Sequence, residues 1–544
     1  MRRLPIATAL VALAFGATSA TTTVIDLAGY PSPVRLQADG GAAQDQAAGA
    51  VAVADLNGDG VDDLVVGARY ADPHGRINAG QAFVVYGGSS TQGTVFLIDT
   101  YAGPTLRGAA ALDQFGEAIA AGDFNGDGWD DLAVGASWVD AAGRADSGAV
   151  YLFLGTGAGF PSIDLATQSA SVTVFGAQAN QRTGSAVALG DLNGDGRDEL
   201  IVGSPRAGAA GRVYVIPGTA SPNALIDLAV SSTSATIEGT LAGGELGTAL
   251  AVGDANYDNK DDLLVGAPYA SPAGRSNGGA AYLVLGRSPF VAIGSVGQAA
   301  AVTVLGAAAN DTLGSAVALG DLNEDHRDDL ILGAAGASPN SLTSAGAAYA
   351  VLMPDPLPAT VDLATAAAAI VLAGADSYDK LGTAVDAADL DRDGVVDVLA
   401  GAPNGDPPGR PQAGVVFAVS GTRAGVRSVT TAPDLVVYGA GSSDRAGTSL
   451  ATGDFTADVR IDLIVGAPRA DSALGLDAGS AYVVPGPFRL LPPPTPTSTP
   501  TPTPSVVPKR RYLPLVVRRP GVRHTTINEN PSTSRGLLDL SSDF

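Results

Sequence analysis

The chain has 544 residues, 46% of them hydrophobic, a net charge of −24 and no cysteine. That length exceeds one ordinary compact core, so the chain holds several domains or a repeat architecture. The charge disfavours a nucleic-acid partner, and the missing cysteines rule out disulfides, thiol nucleophiles and thiolate metal sites.

Residues 1–20, "MRRLPIATALVALAFGATSA", carry two Arg, an apolar run and then small residues. This pattern predicts a secretory signal peptide cleaved near Ala20. No other stretch is long and apolar enough to span a bilayer. From residue 21 to 488 the chain is predicted to be one repeat domain. The 71 glycines suit many tight turns and argue against long helices.

An acidic stretch, "DLNGDGVDDLVVGA" at Asp55, recurs at Asp123, Asp191, Asp254, Asp321, Asp389 and Asp454, at intervals of 68, 68, 63, 67, 68 and 65 residues. A near-constant period means one structural unit used seven times. Each unit reads as a Gly-led alternating run such as "FGEAIAAGD", the acidic loop, an apolar run such as "DLLVGAP", a third run such as "GGAAYLVLG", and a β-rich stretch such as "SVTVFGA". These are four short strands with Gly and Pro turns. The third-strand aromatic (Phe83, Tyr151, Tyr214, Tyr282, Tyr349, Phe417, Tyr482) lies 28 residues beyond the first Asp of the loop in every unit but the third, where it lies 23 beyond. The third unit has therefore lost five residues, between its second and third strands.

Four-strand units around an axis make an all-β, seven-bladed β-propeller. The seventh unit has no fourth strand after "AYVVPG", whereas "PVRLQADG" near the N-terminus fits one. Val34–Ala38 is expected to complete the last blade and close the ring.

Within the first loop, oxygen side chains fall at positions one, three, five and nine: Asp55, Asn57, Asp59 and Asp63. Gly60 at position six allows a sharp turn, and the carbonyl of Val61 at position seven can point inward. Hard oxygen ligands around a Gly turn suit Ca²⁺. The EF-hand alternative fails because position twelve is Val66 and a strand follows. Polar Asx-type turns without an ion are the bland alternative.

The second loop offers Asp123, Asn125, Asp127, the carbonyl of Trp129, and Asp131. The third offers Asp191, Asn193, Asp195, the carbonyl of Arg197, and Glu199. The fourth (Asp254, Asn256, Asp258, Asp262) and fifth (Asp321, Asn323, Asp325, Asp329) keep the ligands but carry Asn259 and His326 in place of Gly. The sixth (Asp389, Asp391, Asp393, the carbonyl of Val395, Asp397) is fully carboxylate. The seventh, with Thr456 and Val459, is the weakest. These positions hold 22 of the 55 acidic residues, so several structural Ca²⁺ ions account for much of the acidity without a basic partner.

"QFGEAI", "LVGAP" and "DLNGDG" resemble the FG-GAP repeats of the integrin α-subunit head, over roughly residues 31–487. The resemblance implies a propeller with calcium loops on the lower face and ligands on the opposite one. No unit has room for an inserted adhesion domain, and nothing after residue 488 resembles the integrin leg.

The opposite-face loops repeat a Gly-Arg pair (Arg76, Arg144, Arg212, Arg275, Arg410) near Tyr70, Trp138 and Tyr269. Such a ring suits acidic proteins or glycans. The preferred reading is that these arginines pair with loop carboxylates such as Asp72 and Asp140.

Residues 489–508 form a Pro/Thr-rich linker, and residues 509–544 a basic-apolar tail that is either a surface-attachment segment or disordered. Only three His exist, and no nucleophile–base arrangement or phosphate loop stands out. The expected function is a secreted or cell-surface binding module, monomeric, with no catalytic residues and an extracellular protein or glycan as ligand. The alternatives are an extracellular propeller enzyme acting on polysaccharide, or a passive surface protein.

Overall fold

Short Gly-bounded strands cannot bury their edges alone, and a closed ring of sheets removes the problem. The protein is described here by a computed structural model covering residues 22–488 apart from 30–35, 98–100, 232–234, 291–293, 422–424, 429–432 and 487. The predicted signal peptide, linker and tail lie outside the described residues. The chain forms seven sheets, as the repeat predicts. In the first blade the inner strand Ala50–Ala54, second strand Asp63–Ala68, third strand Gln81–Val85 and fourth strand Thr105–Arg107 pair antiparallel in that order. Every second strand is buried throughout and begins at position nine of its acidic loop. In the third unit seven residues separate strands two and three, against twelve in the second, which places the deletion where the spacing put it.

The ring closes through the N-terminus. Leu36–Gly40 pairs antiparallel with Ser480–Val484, supplying the missing fourth strand of blade seven. The expected strand was Val34–Ala38, whose first two residues lie outside the described set. Seven apolar clusters each join two neighbouring blades. Leu36 and Ala38 enter the cluster between blades seven and one, while Ile25 and Leu27 enter the one between six and seven.

Two expectations need correcting. The sheets have five strands, not four. A short segment between the third and fourth strands of each blade reaches back and pairs parallel with the fourth strand of the preceding one. Ile163–Asp164 joins blade one in this way, and Leu225–Asp227 joins blade two. The N-terminal strand Thr23–Asp26 does the same for blade six.

The recurrent arginines do pair with carboxylates, but not with Asp72 or Asp140. Arg76 meets Asp164 at 2.7 Å, Arg144 meets Asp227 at 2.7 Å, Arg275 meets Asp362 at 2.9 Å, and Arg410 meets Asp26 at 2.6 Å. Each of these carboxylates ends a fifth strand, so the arginine fastens the strand donated by the next blade. The Arg410 guanidinium holds the Asp26 carboxyl below its usual range. Arg212 pairs instead with Glu238 in its own blade. Asp72 and Asp140 each accept a backbone N–H inside their own loop, from Asn78 and Asp146.

Candidate metal centre

The acidic loops join the first and second strands, so all seven lie at one end of the ring. The same backbone path recurs in each. Position six is left-handed, with φ of 84° at Gly60 and 92° at Gly394. Asn259, His326 and Val459 adopt it too, at 62°, 69° and 66°, and the β-branched Val459 is the most strained of the three. Position four is also left-handed, at Gly58, Gly126 and Gly194 among others, which the sequence reading overlooked. A glycine there admits a side chain from the next blade. A Cβ on Gly58 would lie 2.1 Å from the Trp129 ring.

Within the first loop, Asp55 Oδ1 accepts the N–H groups of Gly58 and Asp59, and its Oδ2 accepts that of Gly60 at 2.8 Å. Asn57 Oδ1 accepts the Asp59 N–H at 2.9 Å, and Asp59 Oδ1 accepts the Val61 N–H at 2.9 Å. Asp123, Asn125 and Asp127 repeat this network in the second loop. Asx-type turns and a cation site are therefore compatible, because each carboxylate keeps further lone pairs for an ion.

Position nine is the buried anchor. Asp63 is fully buried; Oδ2 accepts the Leu56 N–H at 3.1 Å and Oδ1 the Gly87 N–H at 2.9 Å. Asp262, Asp329 and Asp462 use Oδ1 likewise on the N–H at the end of their third strand. Burial pushes Asp63, Asp131, Asp262 and Asp329 up to about 7, with the neighbouring loop carboxylates adding to the rise.

The residues present fit a cation. In the sixth loop, carboxylate oxygens of Asp389, Asp391 and Asp397 lie within 4.8 Å of one another, and among the described residues no other acidic group meets that condition. Asp397 is fully buried and its Oδ1 has no hydrogen-bond partner. Glu199 Oε2 in the third loop and Asn256 Oδ1 in the fourth are also buried without one. Such atoms are costly unless something satisfies them. Asp393 accepts the Val395 N–H within the same loop.

Position eight was missed in the sequence. Asp198 N–H donates to the Asp123 carbonyl at 2.9 Å, and the Asp198 carboxylate accepts the Asp123 N–H at 2.9 Å. Asp261 grips Asp191, Asp328 grips Asp254 and Asp62 grips Asp454 in the same reciprocal way. Each links a loop to the loop of the preceding blade. The residue before the gripped Asp must be glycine, since a Cβ on Gly122 would sit 2.3 Å from Asp198 Oδ2. Blade one has Ala54 there, and among the described residues Asp130 makes no such bond to Asp55. Gly122→Ala should therefore lower stability by about 1–3 kcal/mol in urea unfolding, through overpacking and a disturbed buried carboxylate.

With this geometry in view, the comparisons with known proteins decide the family. The FG-GAP repeat profile matches residues 47–86, 115–153, 183–216, 246–284, 313–351 and 381–419. This chain is an FG-GAP repeat protein. The seventh unit lies outside those matches, yet it folds as the seventh blade.

The FG-GAP chain is 37% identical over 164 residues to phosphatidylinositol-glycan-specific phospholipase D from Bos taurus, a match covering 30% of this chain and 19% of that protein. It is 34% identical to the Homo sapiens protein of that name over 231 residues, 42% of this chain and 27% of the relative. It is 38% identical over 136 residues to integrin alpha-IIb from Mus musculus, 24% of this chain and 13% of the integrin. The chain thus covers about a quarter or less of each of these relatives' lengths.

Proposed function

We propose that this protein is an exported, calcium-stabilised propeller that binds an extracellular protein or glycan through the face opposite its acidic loops, and performs no chemistry itself. The observation that carries this reading is a ring of exposed apolar side chains on that face, contributed by several blades, although Trp129, Tyr257 and Val459 are exposed on the acidic loops as well. Ile77, Leu112, Trp138, Tyr269, Tyr378 and Leu476 are exposed at that end, in loops held by regular strands. Loops positioned by a rigid scaffold are where binding residues concentrate, and exposed aromatics are frequent anchors.

Calcium suits the loops because every side-chain donor is a hard oxygen. Positions one, three, five and nine supply side chains, with the carbonyls of Val61, Trp129, Arg197 and Val395 as further oxygens. The ion would hold together carboxylates that otherwise repel one another. Export rests on the signal-like residues 1–20. The two histidines within the described residues each contact a side chain of a neighbouring blade. His74 lies 2.9 Å from Asp164, and His326 stacks on Tyr257 with ring centroids 5.4 Å apart. The matched phospholipases are named as enzymes, but the small share of their length covered carries no activity over to this chain.

The test uses the full chain in calcium on glycan and extracellular-protein arrays. Binding should appear and should fall at least tenfold in Tyr269→Ala/Tyr378→Ala, two exposed side chains, with the melting temperature unchanged. Turnover of a polysaccharide, or no binding on any array, would contradict the proposal.

A further inference from the structure

The sixth loop differs from those of blades one, two, four, five and seven in what surrounds its position-nine carboxylate. In blades one, two, four, five and seven, the position-nine carboxylate uses Oδ1 to accept an N–H 24 residues further on, from Gly87, Gly155, Gly286, Met353 and Gly486. Asp397 does not: Oδ2 accepts the Leu390 N–H at 2.9 Å, and Oδ1 is left buried with no partner, beside Asp389 and Asp391. A second carboxylate lies close by. Asp434, fully buried, immediately precedes the fourth strand Leu435–Tyr438, and its Oδ2 accepts the Ser420 N–H at 3.1 Å. Ser420 adjoins Gly421, where a Cβ would lie 2.1 Å from the carbonyl of Val396 in the loop itself. The Asp434 charge is felt at Asp391. The same place holds Pro104, Ser171, Ala301 and Ala369 in blades one, two, four and five, so among these described positions only blade six has an acid.

We propose that Asp434 adds its carboxylate to the sixth loop's cation site, making it the tightest-binding site of the chain. The inference rests on the metal reading above. Four loop carboxylates and Asp434 then surround one ion, and calcium affinity in such loops rises with ligand charge. Without an ion, Asp389, Asp391 and Asp397 crowd one another within 4.8 Å, and the charge of the fully buried Asp434 adds to the repulsion at Asp391. The site also touches the closure of the ring. Thr23 N–H donates to the Asp434 carbonyl at 2.9 Å, at the start of the parallel pairing between Thr23–Asp26 and Leu435–Tyr438. Cation binding at this loop therefore steadies the N-terminal strand.

Blade two supplies a control. There Ser171 takes the position of Asp434 and its Oγ accepts the equivalent N–H, from Leu154, at 3.1 Å. Asp434→Ser should keep the backbone bond and remove the charge, and Asp434→Asn serves if the serine variant does not fold. Calorimetric titration of the metal-stripped full chain with Ca²⁺ should show one site at least tenfold tighter than the rest. That site should weaken at least tenfold in either Asp434 variant and in Asp391→Asn. Amide exchange at Thr23–Asp26 should slow when the tight site fills, in the wild type and not in the variants. Wild-type titration and exchange in an Asp434 variant would overturn the proposal while leaving the metal reading intact. No calcium binding by the wild-type chain would overturn both.

Discussion

Removing residues 21–40 from the chain should abolish the monomeric fold and produce aggregates. The segment supplies two strands to two blades. Leu36–Gly40 is the fourth strand of blade seven and also carries the parallel strand Gly93–Leu97 on its outer side, while Thr23–Asp26 is the fifth strand of blade six. Its loss uncovers the edge of Ser480–Val484, and an unpaired edge is a template for pairing with other chains. It also removes Ile25, Leu27 and Leu36 from the clusters between blades six, seven and one. Burying each such side chain contributes about 1.5–3 kcal/mol. Three of them approach the 5–15 kcal/mol typical of a whole domain. Arg410 would lose Asp26, its partner at 2.6 Å. Size-exclusion chromatography and thermal unfolding of the truncated protein check this; a monomer with unchanged melting would sink the closure.

Chelation should lower the melting temperature by on the order of 10 °C or more, and calcium should restore it better than magnesium, whose octahedral demand fits such loops poorly. An ion bound only to the native state stabilises by about 2.7 kcal/mol at a hundredfold excess over its dissociation constant. Several such sites match the stability of a domain. No disulfide is available to compensate. The effect should also depend on pH. In chelator, burial holds the position-nine carboxyls of Asp63, Asp131, Asp262 and Asp329 at about 7, far above their unfolded values. A carboxyl whose pKa is raised on folding favours the folded state below its unfolded pKa, and that contribution is lost as pH rises through the folded one. The metal-stripped protein should therefore lose stability between about pH 4 and pH 7 on this account. Bound calcium keeps these groups ionised and should flatten the dependence. Differential scanning calorimetry across that range, with and without calcium, reads both effects.

The blades, their number, the acidic loops and the closing strand were legible because they repeat. A period of 63 to 68 residues makes each unit a control for the others, and the gap at the seventh showed that a strand had to come from elsewhere. What repeats over a few residues was harder to see. The fifth strand is as short as Ile163–Asp164, too brief for an alternation signal. Its trace was the recurring "IDLA" or "VDLA" at Asp26, Asp164, Asp227 and Asp362, in step with the Gly-Arg pairs, and it also names the true partners of those arginines. The position-eight acids were hidden among equally acidic neighbours; the clue was the glycine at Gly122, Gly190, Gly253 and Gly453, one residue before a gripped Asp. Asp434 could not be read at all. It lies 37 residues beyond Asp397 in a unit whose counterparts hold Pro, Ser or Ala, and only the folded hairpin sets it against Ser420, at the end of the blade that carries the loop.

The central claim is that the acidic loops are cation sites, and counting the ions tests it most directly. Elemental analysis of the full chain, purified in calcium and dialysed into metal-free buffer without chelator, should find at least four calcium ions per chain, one for each loop that keeps glycine at position six. Calcium no higher than in the dialysis buffer, with melting identical in calcium and in chelator, would contradict the account.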